Sequence, residues 1–165
     1  MTVWPVRSAA PQDLEPLSLL WHDGWHDAHG AITPAALVAQ RLPDRFAKRL
    51  QDAGDLLRVA GPDAAPLGLC IIKGDHLDQL FVAPRMRGTG LAASLLQDGE
   101  DRLAHAGVTD ALLDCAALNL RAAQFYARQG WTNLCQKLIW AEAADPPIQI
   151  EVILFGKRLT NGHAP

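Results

Sequence analysis

The chain has 165 residues, 49% hydrophobic and 20% charged, with a formal net charge of −3. That length suits one domain with a substantial core, and the slightly acidic balance supplies no general field for nucleic acid. No apolar run is long enough to span a bilayer, and the N-terminus lacks the charged-then-apolar order of a signal peptide.

In chain order, residues 2–7 read as a strand. Residues 10–28 read as a helix, with Leu14, Leu17, Leu20 and Trp21 recurring on one apolar face. Thr33 and Pro34 read as N-cap and first residue of a second helix running toward Leu50, with a break or kink at Pro43. Three apolar runs at 55–60, 66–72 and 77–83, separated by Gly61-Pro62-Asp63 and Lys73-Gly74-Asp75, predict an antiparallel three-stranded meander. A helix over 88–106 ends at Gly107, and 110–115 is a short strand. A helix over 119–129 stops at Gly130, and 131–142 and 148–157 form two closing strands around Asp145-Pro146-Pro147. The order is β-α-α-β-β-β-α-β-α-β-β. A strand–helix–strand crossover in its middle predicts an α+β fold with a mixed sheet. Residues 1–160 are read as a single domain and 161–165 as a tail. The three cysteines, Cys70, Cys115 and Cys135, lie apart in apolar segments and read as buried free thiols in a reducing cytoplasm.

The run Arg85-Met86-Arg87-Gly88-Thr89-Gly90 follows the strand-like segment 77–84 and precedes the apolar helical start at Leu91. A strand turning through two glycines into a helix leaves the first helical N–H groups pointing at open space. Together with the helix dipole they suit a phosphate or pyrophosphate. Gly88 and Gly90 allow close backbone approach, and Arg85 and Arg87 add local positive charge. The spacing is neither the dinucleotide Gly-x-Gly-x-x-Gly fingerprint nor a Walker loop, and a short glycine turn before a helix is often only a turn.

The spacing (Arg/Gln)-x-x-Gly-x-(Gly/Ala) resembles the acetyl-CoA pyrophosphate loop of the GNAT family of N-acetyltransferases. A second segment, Asn119-Leu120-Arg121-Ala122-Ala123-Gln124-Phe125-Tyr126-Ala127-Arg128-Gln129-Gly130-Trp131, is similar to the family's Asn-x-x-Ala-x-x-(Phe/Leu)-Tyr-x-x-x-Gly-Phe, with Trp131 where Phe is usual. The element order also matches, so the resemblance covers nearly the whole chain. It implies a splayed central mixed sheet and acetyl-CoA as co-substrate, with no metal. Transfer would go to a primary amine, of a small molecule or a peptide, by direct attack in a ternary complex. Cofactor binding falls on Phe81, Val82, Ala83, Arg85, Met86, Arg87, Gly88, Thr89, Gly90, Leu91 and Asn119, with the Val82 N–H a donor to the thioester oxygen.

The resemblance makes Tyr126, the only tyrosine, a candidate acid for the departing thiolate; packing beside Phe125 is the plainer account. Asp114 and Asp78 are the candidate bases, a water chain being the alternative, and either carboxylate is equally readable as a solvated or capping group. In this fold the first two helices and the last hairpin wall the acceptor pocket. Trp21, Trp25, His26 and His29 are therefore candidates to line it, with His22 nearby and His76 just before the fourth strand. The tryptophans are equally readable as core. The spacing of His22, His26 and His29 allows one helical face, but no His-Glu-x-x-His pattern supports a metal. Family members often form a homodimer, and the last strands are free to pair that way. A non-catalytic acyl-CoA-binding or sensory module is the alternative function.

Overall fold

The computed structural model describes residues 2–160; the tail predicted at 161–165 lies outside the described residues. The elements are β1 (Val6–Ser8), α1 (Leu14–His29), α2 (Ala35–Gln40), α3 (Pro43–Ala53), β2 (Leu57–Ala60), β3 (Gly68–Lys73) and β4 (His76–Val82). They continue with α4 (Leu91–His105), β5 (Asp110–Ala116), α5 (Leu120–Arg128), β6 (Thr132–Trp140) and β7 (Gln149–Arg158). The strands form one seven-stranded mixed sheet in the order β1-β2-β3-β4-β5-β7-β6, and only β4 and β5 run parallel. The expected α+β architecture is present.

Two faces of that sheet are covered, which is why β3 is buried along almost its whole length. On one face Leu17 and Trp21 of α1, Leu37 of α2, and Phe46 and Leu50 of α3 pack on Val59, Leu69 and Ile71. On the other, Leu91, Leu95, Leu96 and Leu103 of α4 pack on Cys70, Ile72, Leu77 and Leu113. Each fully buried leucine there stabilises the fold by about 1.5–3 kcal/mol. A buried carboxylate ties the second layer to the far strands. Glu100 of α4 accepts from the Trp131 indole N–H at 2.8 Å and from Lys157 Nζ at 2.7 Å.

The structure differs from the sequence reading at several places, each with a local cause. At Pro43 the expected break is present and divides the second predicted helix in two: Pro43 cannot donate to the preceding turn and instead starts α3, while Arg41 and Leu42 leave helical geometry. Thr33 is not the N-cap of α2. Pro34 holds that position, and the Thr33 hydroxyl donates back to the His29 carbonyl at 2.8 Å. The first strand is confined to Val6–Ser8, behind Pro5, which has no N–H to pair. Cys70 and Cys115 are buried, but Cys135 is exposed because β6 is an edge strand with an uncovered face.

The feature that positions the site is a divergence between the two parallel strands. β4 and β5 are in register at a single pair, His76 with Leu112, beside a bond from the Leu112 N–H to the Asp75 carbonyl. Beyond it β4 follows β3, and β5 follows β7 over its whole length. A bulge sharpens the separation: Ile71 opposes Gln79 and Ile72 opposes Leu77, which leaves Asp78 as the extra residue of β4.

Candidate functional site

The gap between β4 and β5 opens into a cavity of about 900 Å³. At one end lies the glycine turn. Gly88 has φ +78°, and an added Cβ there would meet nothing within 4 Å; Gly90 has φ +89° and is the N-cap of α4. The first closed helical bond is from Ser94 N–H to the Gly90 carbonyl, and no side chain caps the helix. Among the described residues, the N–H groups of Leu91, Ala92 and Ala93 therefore have no protein acceptor, at the positive end of a four-turn dipole. Trp4 fixes this turn from behind, its indole N–H donating to the Thr89 carbonyl at 3.1 Å and its own N–H to Ser94 Oγ at 3.0 Å.

Of the residues expected at this end, Phe81, Val82, Arg87, Gly88, Gly90 and Asn119 line the cavity. Ala83, Arg85, Met86, Thr89 and Leu91 do not. Met86 and Leu91 pack into the core, the Ala83 N–H donates to the Leu67 carbonyl at 2.8 Å, and the Thr89 hydroxyl donates to the Met86 carbonyl. The Ala83 bond sets the phase of the strand. Antiparallel pairing alternates, so one residue earlier the Val82 N–H and carbonyl turn away from β3, toward the gap. Arg87 reaches Asp27 of α1 at 2.5 Å, and Arg121 of α5 approaches the same carboxylate at 3.6 Å. Gly24 of α1 also lines the cavity, and an added Cβ there would sit 3.1 Å from the Phe81 ring.

The middle of the cavity brings α5 against β5. Asn119 caps α5, its side-chain oxygen accepting from the Ala122 N–H at 3.2 Å. Tyr126 packs against Phe125, Phe155 and Trp131, and burial beside the Cys115 thiol holds its phenol well above the usual range. Burial likewise pushes the Cys115 thiol up to about 11, so it stays protonated. Asp114 lines the cavity with its carboxylate 3.3 Å from Lys137 Nζ of β6.

The opposite end is walled by α1, α2 and the β6–β7 hairpin. Trp25 and His29 line it, while Trp21 and His26 do not. Trp21 is 1% exposed in the core, with the Arg49 guanidinium over its ring, and His26 Nε2 donates to the Arg41 carbonyl at 2.8 Å. His29 Nδ1 lies 3.2 Å from the Trp25 carbonyl and donates to it, leaving Nε2 with the lone pair; burial lowers the pKa of its ring. His22 turns to Asp23, and His76 is held by Asp75. No group of three or more metal-type ligands occurs among the described residues. Asp78 lines this end and has its pKa raised, first by burial and then by Glu142. Arg41, Arg49, Lys73 and Glu142 complete the wall. Sequence reasoning missed these four, although Arg41 immediately precedes the Leu42-Pro43 step that breaks the helix.

The gap beside β4, the bulge and the uncapped helix start define a scaffold that suits an extended, anionic ligand laid along a strand edge. The chain belongs to the GNAT acetyltransferases: the family's model, described as an acetyltransferase (GNAT) domain, matches residues 26–139. No curated protein matches it. Among solved structures, a GCN5-related N-acetyltransferase from Rhodopseudomonas palustris is similar at TM-score 0.76 and 19% identity, over 96% of this chain and 98% of that one. The PaiA N-acetyltransferase from Thermoplasma acidophilum, in complex with coenzyme A, is similar at TM-score 0.68 and 17% identity, over 95% and 99%. YncA, a putative acetyltransferase from Salmonella typhimurium with its cofactor acetyl-CoA, is similar at TM-score 0.65 and 14% identity, over 99% and 98%. At these identities the likeness is one of fold.

Proposed function

We propose that this acetyltransferase moves the acetyl group of acetyl-CoA to a primary amine, by direct attack while both are bound. The observation that carries the reading is the row of unclosed N–H groups at the start of α4, continuous with the unpaired edge of β4. The diphosphate fits the former, with Arg87 and Arg121 beside it, and the pantetheine arm takes the place of a missing strand along the latter. The CoA and acetyl-CoA complexes of the similar folds support the same ligand.

The thioester oxygen then lies against the Val82 N–H, which stabilises it as negative charge develops. The acceptor's ammonium first loses a proton to Asp78. That carboxylate lines the cavity, has no ion-pair partner among the described residues, and is held above its usual range by burial, closer to a working base. Asp114 is less suited, because Lys137 already pairs with it. The amine nitrogen bonds to the carbonyl carbon, the C–S bond breaks as the Tyr126 phenol donates its proton to the leaving sulfur, and the proton shed by the new amide nitrogen returns to the phenolate. With its pKa raised, Tyr126 is fully protonated at neutral pH and enters each turnover as a donor. We place the activity in one domain over residues 1–160, in the cytoplasm.

The test is thermal melting with and without acetyl-CoA, followed by release of free CoA across an amine panel. A raised melting temperature with turnover is expected. Absence of any shift at millimolar acetyl-CoA overturns the reading, and binding without turnover across the whole panel moves it to a non-catalytic acyl-CoA-binding module.

A further inference from the structure

The acceptor end of the cavity contains a cation with no counter-ion of its own. Three basic side chains reach it: Arg41 at the end of α2, Arg49 of α3 and Lys73 at the end of β3. Glu142 serves two of them, accepting from Arg49 Nη2 at 2.8 Å and from Lys73 Nζ at 3.5 Å. Arg41 is 4% exposed and makes no ion pair among the described residues. Its Nη2 donates to the Glu142 main-chain carbonyl at 2.7 Å, and its Nε is buried with no hydrogen-bond partner. A buried guanidinium in that state is costly, and burial with Arg49 close by pulls its pKa down to about 10.

The backbone holds Arg41 in this position firmly. Its N–H donates to the Val38 carbonyl at 3.1 Å, and its carbonyl accepts from His26 Nε2 at 2.8 Å. The guanidinium also lies 5.6 Å from the centre of the Trp25 ring. With Nη2 committed and Nε buried, Nη1 is the nitrogen left to meet a ligand carboxylate in a charge-assisted bond. A dianionic phosphate fits less well, because its second charge meets the Glu142 carboxylate in the same wall. On β4, Asp78 has the opposite deficit: a half-buried carboxylate without an ion-pair partner among the described residues.

We infer that the amine acceptor carries a carboxylate, an amino acid or a close relative, held by the Arg41 guanidinium while its amino group faces Asp78 and the thioester. This rests on the acetyltransferase reading above and names its substrate class. One ligand then satisfies both unpaired charges, and its polarity aims the nucleophile toward the strand gap.

The experiment compares matched pairs. Free amino acids (α, β and γ) and their carboxamides are assayed for CoA release with wild type, Arg41→Gln and Arg41→Lys. In parallel, N-acetyl amino acids and their carboxamides are titrated into the CoA-saturated proteins. Within at least one pair, the free acid should have a kcat/KM at least tenfold above its amide. Arg41→Gln should erase that preference through KM and leave acetyl-CoA affinity unchanged, while Arg41→Lys restores part of it. The wild-type comparison stands even if a variant fails to fold. Amides acetylated as well as acids overturn the carboxylate subsite and leave acetyltransfer intact. Arg41-dependent binding of N-acetyl amino acids without any turnover supports the subsite and removes the enzymatic reading. Neither binding nor turnover overturns both.

Discussion

Replacing Gly90 by aspartate tests the coenzyme site most directly, with Gly90→Ala as its control. Gly90 has φ +89° and ψ −6°, a left-handed conformation that raises the energy of an alanine by about 1 kcal/mol. Aspartate enters that region more readily than alanine, and as N-cap its carboxylate accepts from the first helical N–H groups and faces the positive dipole end. Those gains together offset about 1 kcal/mol, so the ligand-free Asp variant should melt within a few degrees of wild type. Binding is another matter, because the new carboxylate occupies the donors that the diphosphate needs. A unit charge about 4 Å from it repels by about 4 kcal/mol at an effective dielectric of 20, and screening at an open cavity mouth reduces this to roughly half. Calorimetric titration with CoA should therefore show at least a thirtyfold weakening for Gly90→Asp and only a few-fold weakening for Gly90→Ala. Equal affinities for the Asp variant and wild type, with both folded, would refute the placement of the diphosphate at the start of α4.

Tyr126→Phe keeps the ring packing against Phe155 and Trp131 but removes the donor; kcat should fall about 10²-fold with KM for acetyl-CoA little changed, and an unchanged kcat assigns the proton elsewhere. Trp131→Phe deletes the indole donor to the buried Glu100; a bond to a charged group contributes about 1.5–3 kcal/mol, so the melting temperature should drop by roughly 5–10 °C. An unaltered melting curve would show that Lys157 alone suffices for Glu100. Asp13 is fully buried, receives two Arg7 nitrogens and the N–H groups of Ala10 and Ala64, and has its carboxyl held below the usual range by the Arg7 bond. Its folded pKa is lower than its unfolded one, so its contribution is complete above about pH 4 and disappears as pH falls through the folded value. Asp13→Asn should cost about 3 kcal/mol at neutral pH and flatten the loss of stability on acidification below about pH 4, read from urea melts at a series of pH values. A mutant curve parallel to wild type across that range would contradict the assignment.

The parts of this fold written in local chemistry were readable from the chain. The meander turns, the glycine stops at 107 and 130, and the turn into α4 each depend on a few adjacent residues. The divergence of β4 from β5 was legible only through family resemblance, since it arises from long-range pairing of β5 with β7 and from a bulge at Asp78 that no local pattern marks. Trp21 and Trp25 lie four positions apart and share a helix face. Phe46 and Arg49 of α3 and Phe81 of β4 close over the first, while the second stays at the cavity wall. His26 looked like a pocket residue because spacing cannot reveal that its ring nitrogen is engaged by the Arg41 carbonyl, across the break at Leu42-Pro43. Arg41 itself was invisible as a site residue, because burial of a guanidinium is decided by the hairpin arriving a hundred positions later with the Glu142 carbonyl.

The charge distribution makes sense of the two-ended cavity. The chain as a whole carries −3, yet the cavity wall presents six cations, Arg41, Arg49, Lys73, Arg87, Arg121 and Arg128, against three carboxylates, Asp78, Asp114 and Glu142. The net negative charge repels anions in general; this arrangement confines attraction to one cleft, where low-dielectric walls strengthen it. Within the cleft the cations are partitioned. Arg87 and Arg121 share Asp27 at the exposed mouth, where an incoming diphosphate can displace one carboxylate with little desolvation. Arg41 is buried at the other end and has no carboxylate to displace, so a ligand there is selected by geometry as much as by charge. Between them lie two neutral groups, the protonated Tyr126 phenol and the Val82 N–H, which the proposed mechanism uses as proton donor and oxyanion donor. The bulge at Asp78 connects the two halves: the same extra residue that helps part β4 from β5 also turns the cavity's unpaired carboxylate toward the acceptor end.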